Sequence, residues 1–159
     1  MHINISILQQ TLTLLDDMGN VNAQYAISSA ANGVGCEKNS GCTPLGAHII
    51  RAKIGDKQPI NAVFVGRRPT GEICTPALMA EFPNRDWILT RILWLSGNEI
   101  GKNRLGHVDT MQRYIYIHGT PDGIAVGKPD SHGCIRMRNA DIVELFNRVP
   151  VGTSVMIAE

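Results

Sequence analysis

The residues best suited to chemistry lie in one stretch, Ser131-His132-Gly133-Cys134-Ile135-Arg136-Met137, which follows Ile117-His118-Gly119-Thr120 across a glycine-rich connection. A cysteine at its ordinary pKa of about 8.5 is only a few per cent thiolate at neutral pH, so a nucleophilic Cys134 needs a base or a positive field beside it. His118 and His132 are the candidates for that base. Gly133 supplies the turn freedom that lets backbone N–H groups converge on an oxyanion next to Cys134, as acyl transfer requires, and Arg136 is placed to bind a carboxylate. Each residue taken alone has a plainer role. Cysteine is among the most buried residue types, a histidine beside a glycine is often a turn residue, and Arg136 can simply hold a loop. A metal site built from His118, His132 and Cys134 is a third reading. Positions 132 and 134 in one glycine turn make awkward joint ligands, however, and neither a carboxylate nor a second cysteine completes the set.

The elements that must position these groups are read from periodicity. Arg113-Tyr-Ile-Tyr-Ile-His118 alternates and stops at Gly119. This predicts a strand with Tyr114, Tyr116 and His118 on one face, Ile115 and Ile117 on the other, and His118 at the mouth of a loop over 119–130. Asp141 and Glu144 stand in capping-box spacing around Ile142, Val143, Leu145 and Phe146, which predicts a short amphipathic helix stopped by Pro150. A last strand is expected over 154–157. Upstream, Ile3, Ile5 and Ile7 alternate with polar residues as in a half-buried strand, and Gly19-Asn20 marks a turn. Further strands are expected over 22–28, 47–54 (after a glycine-rich loop over 32–46, and ended by Gly55-Asp56), 61–65 and 88–95. Residues 69–71 and 76–83 read as connections with one short helix. The fold expected is mostly β, a single domain over residues 1–159 with one or two short helices.

These motifs resemble the L,D-transpeptidase (YkuD-type) catalytic domain of peptidoglycan metabolism. In that family a strand ends in His-Gly, a loop of about a dozen residues follows, and then comes Ser/Thr-x-Gly-Cys, an apolar residue and Arg or Asn. Here the pattern reads Tyr116-Ile-His118-Gly119 and Ser131-His-Gly-Cys134-Ile-Arg136-Met137. Thr43-Pro44-Leu45-Gly46 looks like the family's Thr-Pro-x-Gly segment, and 139–157 looks like its closing helix, Gly-Thr turn and last strand. The resemblance implies a β-sandwich or barrel. It implies Cys134 as the nucleophile at the carbonyl between the L-centre of diaminopimelate and D-alanine, with D-alanine released. It also implies His118 as the base, oriented by the Gly119 carbonyl where a more familiar triad has a carboxylate. His132, at the variable position, has a supporting role. The N–H groups of Gly133 and Cys134 are the implied oxyanion donors, Ser131, Arg136 and Tyr116 line the substrate site, and a carbapenem is expected to acylate the thiol.

Composition limits the partners. The 159 residues carry 15 Lys and Arg against 14 Asp and Glu, 43% are apolar, and there are only two Trp, three Tyr and three Phe. This balance excludes disorder and coiled coil, and without a basic surplus or a basic-aromatic cluster no nucleic-acid partner is expected. No cofactor or metal is expected, and the partners are peptidoglycan stem peptides or muropeptides. Four cysteines are too few for a disulfide scaffold, so Cys36 and Cys42, either side of a five-residue polar loop, read as ordinary thiols. The first basic residue is Lys38 and no apolar run approaches a membrane span, so neither leader nor membrane segment is visible and a cytoplasmic location is expected. A leader removed upstream of Met1 makes the location periplasmic instead. A cytoplasmic enzyme meets recycled tetrapeptides, which makes water the expected acceptor and the activity an L,D-carboxypeptidase. An exported one forms 3-3 cross-links as an L,D-transpeptidase, and a non-catalytic muropeptide-binding domain is a third class.

Overall fold

The computed structural model describes residues 1–159. Its elements are β1 (His2–Ser6), β2 (Thr11–Leu15), β3 (Val21–Ala26), β4 (Gly46–Ile54), β5 (Ala62–Val65), β6 (Arg68–Ile73), α1 (Pro76–Glu81), β7 (Ile88–Gly97), β8 (Tyr116–Thr120), β9 (Ile135–Arg138), α2 (Asn139–Arg148) and β10 (Ser154–Ala158). The mostly-β expectation with two short helices therefore holds. The strands form one sheet in the order β3-β2-β1-β10-β4-β7-β5-β6, with β8 branching from β7 and β9 pairing with β8. The branch arises because β7 is ten residues long. One of its edges pairs β4 over Ile92–Gly97 and β5 over Ile88–Leu89, while the other pairs β8 between Leu89 and Trp94. The sheet must curl to satisfy three partners.

The core lies between the curled sheet and α2. Ile3, Ile5, Leu12 and Leu14 from the first hairpin meet Leu93, Leu95, Ile117, Ile135 and Met137 from the central strands, and Ile142, Leu145 and Phe146 of α2 close the layer. These are alternate residues of strands and one stripe of the helix, as burial of a single face requires. Removing their apolar surface from water stabilises the fold by roughly 1.5–3 kcal/mol for each large side chain.

The structure departs from the sequence expectations in five places. Thr11–Leu15 is a strand, β2, with Leu12 and Leu14 buried, and the strand expected over 22–28 is Val21–Ala26. Arg68–Ile73, read as a connection because of Pro69 and Gly71, is strand β6. It pairs only β5 and forms the sheet's edge, where a missing N–H is tolerated. Helix α2 starts at Asn139 instead of Asp141, and Arg138, its N-cap residue, makes no side-chain cap bond. Strand β9 runs directly into the helix, and Asp141 faces Arg138 at 3.8 Å in place of closing a capping box. Finally, β8 spans Tyr116–Thr120, so His118 lies mid-strand and only 1% exposed, not at a loop mouth. Pairing of Gly119 with Leu89 and Met137 extends the strand past the glycine.

Candidate active site

Parallel pairing of β8 with β9 assembles the site. Ile117 stands opposite Ile135 and His118 opposite Arg136. Side chains two apart share a face, so Tyr116 and His118 face the same way as Cys134 and Arg136, while Ile117 and Ile135 point into the core. Cys134 sits next to Tyr116, whose N–H donates to its Sγ at 3.3 Å. The shared face looks into a cavity of about 510 Å³ lined by Cys134, His118, Tyr116, Ser131, His132 and Arg136, all singled out from the sequence. Arg67, Asp86, Arg113 and Tyr114 complete the parts of its wall that bear on the chemistry.

His118 Nδ1 lies 2.6 Å from the Gly119 carbonyl oxygen. A carbonyl only accepts, so Nδ1 carries the proton and Nε2 presents a lone pair. Burial holds the imidazole's pKa below its ordinary value, against the opposing effects of the Gly119 hydrogen bond and of Asp86, so the ring is neutral at pH 7. Position 119 must be glycine: a Cβ there would come within 2.7 Å of the Leu89 carbonyl oxygen and would collide with the Asn139 side chain. Asn139 is itself fixed by Thr90, Asn61 and Asp122. Thr90 sits at a bulge of β7 with φ of 73°, which re-aims its hydroxyl into this network.

The thiol of Cys134 is also neutral. Burial pushes its pKa up to about 12, with Asp86 adding to the rise and the Tyr116 N–H, Arg136 and Arg113 opposing it. Its own donor hydrogen bond goes to the Tyr114 carbonyl at 3.4 Å, not to His118. Thiol and imidazole are therefore diagonal neighbours across the ladder, both uncharged, and not a preformed ion pair.

The turn before β9 is held from two sides. Ser131 Oγ donates to the Cys134 carbonyl at 2.5 Å and accepts the Gly133 N–H at 3.2 Å. That bond engages one of the two N–H groups expected at an oxyanion. Thr43 Oγ1, fully buried, donates to the Gly133 carbonyl at 3.0 Å and accepts the Ala30 N–H at 2.9 Å. Carbonyl and N–H point in opposite directions across a trans peptide, so fixing the Gly133 carbonyl on Thr43 turns the Cys134 N–H the other way. Gly133 has φ of 135°, which favours glycine, and a Cβ there would press within 3.2 Å of Ile115.

The charged residues play parts the sequence did not reveal. Arg136, expected to bind a carboxylate from outside, already lies 3.4 Å from Asp86 and 3.2 Å from Asp130, with its side chain 11% exposed. His132 is exposed at the rim, its Nδ1 3.7 Å from Asp86. Arg113 donates to the carbonyls of Gly35 and Cys42 and to Ser40 Oγ, tying the loop before β4 to the site. Thr43 was visible only as part of a motif, and Arg67 and Asp86 had no local signal at all. Cys36, Cys42 and Cys74 are unpaired thiols. No helix is long and apolar enough to cross a membrane.

A thiol, a neutral imidazole with a free nitrogen and a backbone N–H fixed by its neighbour's carbonyl, gathered on a curled β sheet, are the parts of a cysteine acyl-transfer domain. The model of the YkuD L,D-transpeptidase catalytic domain matches residues 1–157, and the chain belongs to that family. "Probable L,D-transpeptidase YbiS" of Escherichia coli is 49% identical over 47 residues, which cover 30% of this chain and 15% of that relative. The fold is similar to that of L,D-transpeptidase 3 of Mycobacterium tuberculosis, solved with a faropenem-derived adduct. The TM-score is 0.60 at 18% identity, over 99% of this chain and 59% of that one. It is also similar to an Enterococcus faecium L,D-transpeptidase mutant, with a TM-score of 0.58 at 17% identity over 99% of this chain and 49% of that one. The chain thus spans only about half the length of these solved relatives.

Proposed function

We propose that this chain transfers acyl groups from peptidoglycan stem tetrapeptides through Cys134, breaking the bond between the L-centre of diaminopimelate and D-alanine. The observation that carries this reading is the Cys134 and His118 pair on one wall of the cavity, with His118 Nδ1 committed to Gly119. Substrate binding turns the thiol from the Tyr114 carbonyl to His118 Nε2, which takes its proton as sulfur attacks the scissile carbonyl. The Cys134 N–H receives the negative charge that develops on the carbonyl oxygen. As the tetrahedral intermediate collapses, the imidazolium returns the proton to the leaving amine of D-alanine, and the acyl group remains on sulfur as a thioester. His132 and Ser131 support the turn, and Arg136, braced by two carboxylates, shapes the wall.

A second feature bears on the acceptor. A cavity of about 390 Å³, lined by Lys38, Asn39, Gly41 and Gln112, shares Arg113, Tyr114, Ile115 and His132 with the first. We read it as a seat for the amine of a second stem peptide beside the site, which supports aminolysis, a 3-3 cross-link; the hydrolysis expected from the sequence uses the same thiol and base. With no peptide in that seat water takes the acyl group, and the enzyme acts as an L,D-carboxypeptidase. The test is mass spectrometry of purified tetrapeptide incubated with enzyme, with and without excess acceptor peptide. Dimer with loss of one D-alanine is expected when acceptor is present. Tripeptide alone in both reactions replaces cross-linking by the carboxypeptidase reading, and unchanged tetrapeptide refutes the acyl-transfer assignment.

A further inference from the structure

We propose that Arg67 anchors a carboxylate of the donor stem peptide and is a specificity-determining residue of the site, an inference that rests on the acyl-transfer reading above. Three arginines line the cavity, and two are committed: Arg136 to Asp86 and Asp130, and Arg113 to loop acceptors. Arg67 makes one hydrogen bond, from Nη1 to the neutral Tyr116 hydroxyl at 3.0 Å. A guanidinium has five N–H donors and no acceptor, so four remain for a ligand. Asp86, the one carboxylate residue in the cavity wall, is occupied by Arg136.

The guanidinium is held in place before any ligand arrives. It stacks 4.5 Å from the Trp94 ring centre and 4.9 Å from that of Tyr114, contacts that fix the plane of its fork. Its backbone adds to this: Gly66 and Arg67 form the two-residue turn between β5 and β6 with φ of 56° and 64°. A turn with both residues at positive φ prefers Asn-Gly or a similar pair, so an arginine occupies a strained position here. A planar, charged, rigid fork facing a cavity is suited to a carboxylate taken in bidentate fashion. Tyr116 links the two ends of the site, its hydroxyl on Arg67 and its N–H on Cys134 Sγ. The carboxylate bound is therefore separated from the attacked carbonyl. In the donor it is either the one ending the diaminopimelate side chain or that of the terminal D-alanine.

The experiment is a binding cycle on the Cys134→Ala protein, so that peptide is held and not turned over. Affinity is measured calorimetrically for tetrapeptide and for peptides with one or the other carboxylate converted to its amide, with and without Arg67→Met. Arg67→Met is expected to weaken tetrapeptide binding about 10- to 100-fold, with Arg67→Lys between the two because it keeps charge but not the fork. Amidation of the recognised carboxylate should cost a similar factor in the parent and nothing further once Arg67→Met is present. That non-additivity is the coupling between Arg67 and the carboxylate, and it identifies which carboxylate is read. Equal amidation penalties in both backgrounds, or tetrapeptide bound equally well by Arg67→Met, overturns the proposal. Release of D-alanine by the protein with Cys134 intact is measured separately. Release without coupling rejects Arg67 alone, whereas coupling without release rejects the reaction and leaves the binding role standing.

Discussion

Replacing Thr43 by valine keeps the shape of a fully buried side chain and removes one oxygen, which isolates what its hydroxyl does. That oxygen bridges the Ala30 N–H and the Gly133 carbonyl, 90 residues apart in sequence from Thr43 to Gly133. Two buried polar groups lose their partner, each at about 1–3 kcal/mol, so a loss of roughly 2–6 kcal/mol is expected. A domain of this size has about 5–15 kcal/mol in hand and loses about 2–4 °C of Tm per kcal/mol, so a parent of mid-range stability leaves a folded variant that melts about 4–24 °C lower. The catalytic effect is separate. With the Gly133 carbonyl released, the peptide that aims the Cys134 N–H can rotate. Loss of a whole oxyanion donor costs about 10²–10³ in kcat, so partial misalignment is set at about 10–100-fold. The assay is single-turnover release of D-alanine well below the melting transition, beside a binding measurement that should stay within a few-fold of the parent. Thr43→Ser, which keeps the oxygen, should retain most of the rate. A Thr43→Val protein that melts lower yet releases D-alanine at the parent rate refutes the aiming role, as does a Thr43→Ser protein as slow as the valine variant.

Further outcomes follow from the same geometry. Cys134→Ala should abolish acyl transfer in a protein that still folds, and intact mass should show a carbapenem attached to the parent at Cys134 only; label on Cys36 or Cys42, or activity in the variant, counts against the site. His118→Ala should lose at least about two orders of magnitude and His132→Ala far less, since only His118 is buried beside the thiol with its Nδ1 fixed; equal losses reject that division. Because burial lowers the His118 pKa, the acid limb of kcat/KM should lie below the ordinary histidine value, and a limb at or above about 6.5 contradicts a buried neutral base. Stability should fall in acid through His48, whose ring is buried between the Gly46 carbonyl and Thr110 Oγ1 and whose pKa burial brings down to about 4. The unfolded chain takes up this proton near pH 6.5 and the folded one near 4. The contribution is therefore complete above 6.5 and is lost as pH falls through that window, by about 3 kcal/mol. Denaturant titrations across pH 4–7 should show this slope in the parent and a flatter one in His48→Gln.

What the sequence determined by itself is local. Alternation marked the strand carrying Tyr116 and His118, and a glycine turn marked the backbone around Cys134, because a two-residue period and a positive φ are properties of neighbouring residues. The family motif supplied the roles proposed for those same residues for the same reason. Strand β2 went unassigned although Leu12 and Leu14 alternate, because five residues are too short a run to mark a strand without its partner β1, and β6 was hidden by Pro69 and Gly71, which only an edge position tolerates. The tertiary structure alone decided the rest. Parallel pairing of β8 with β9 sets thiol and imidazole diagonal to each other, and that register depends on packing against β7 and α2. Thr43, Arg67 and Asp86 reach the site from three other segments, so no spacing along the chain connects them with Cys134. The protonation states were equally out of reach: a histidine and a cysteine have ordinary pKa values until burial strips away their solvent, and burial belongs to the assembled fold and not to any stretch of the chain.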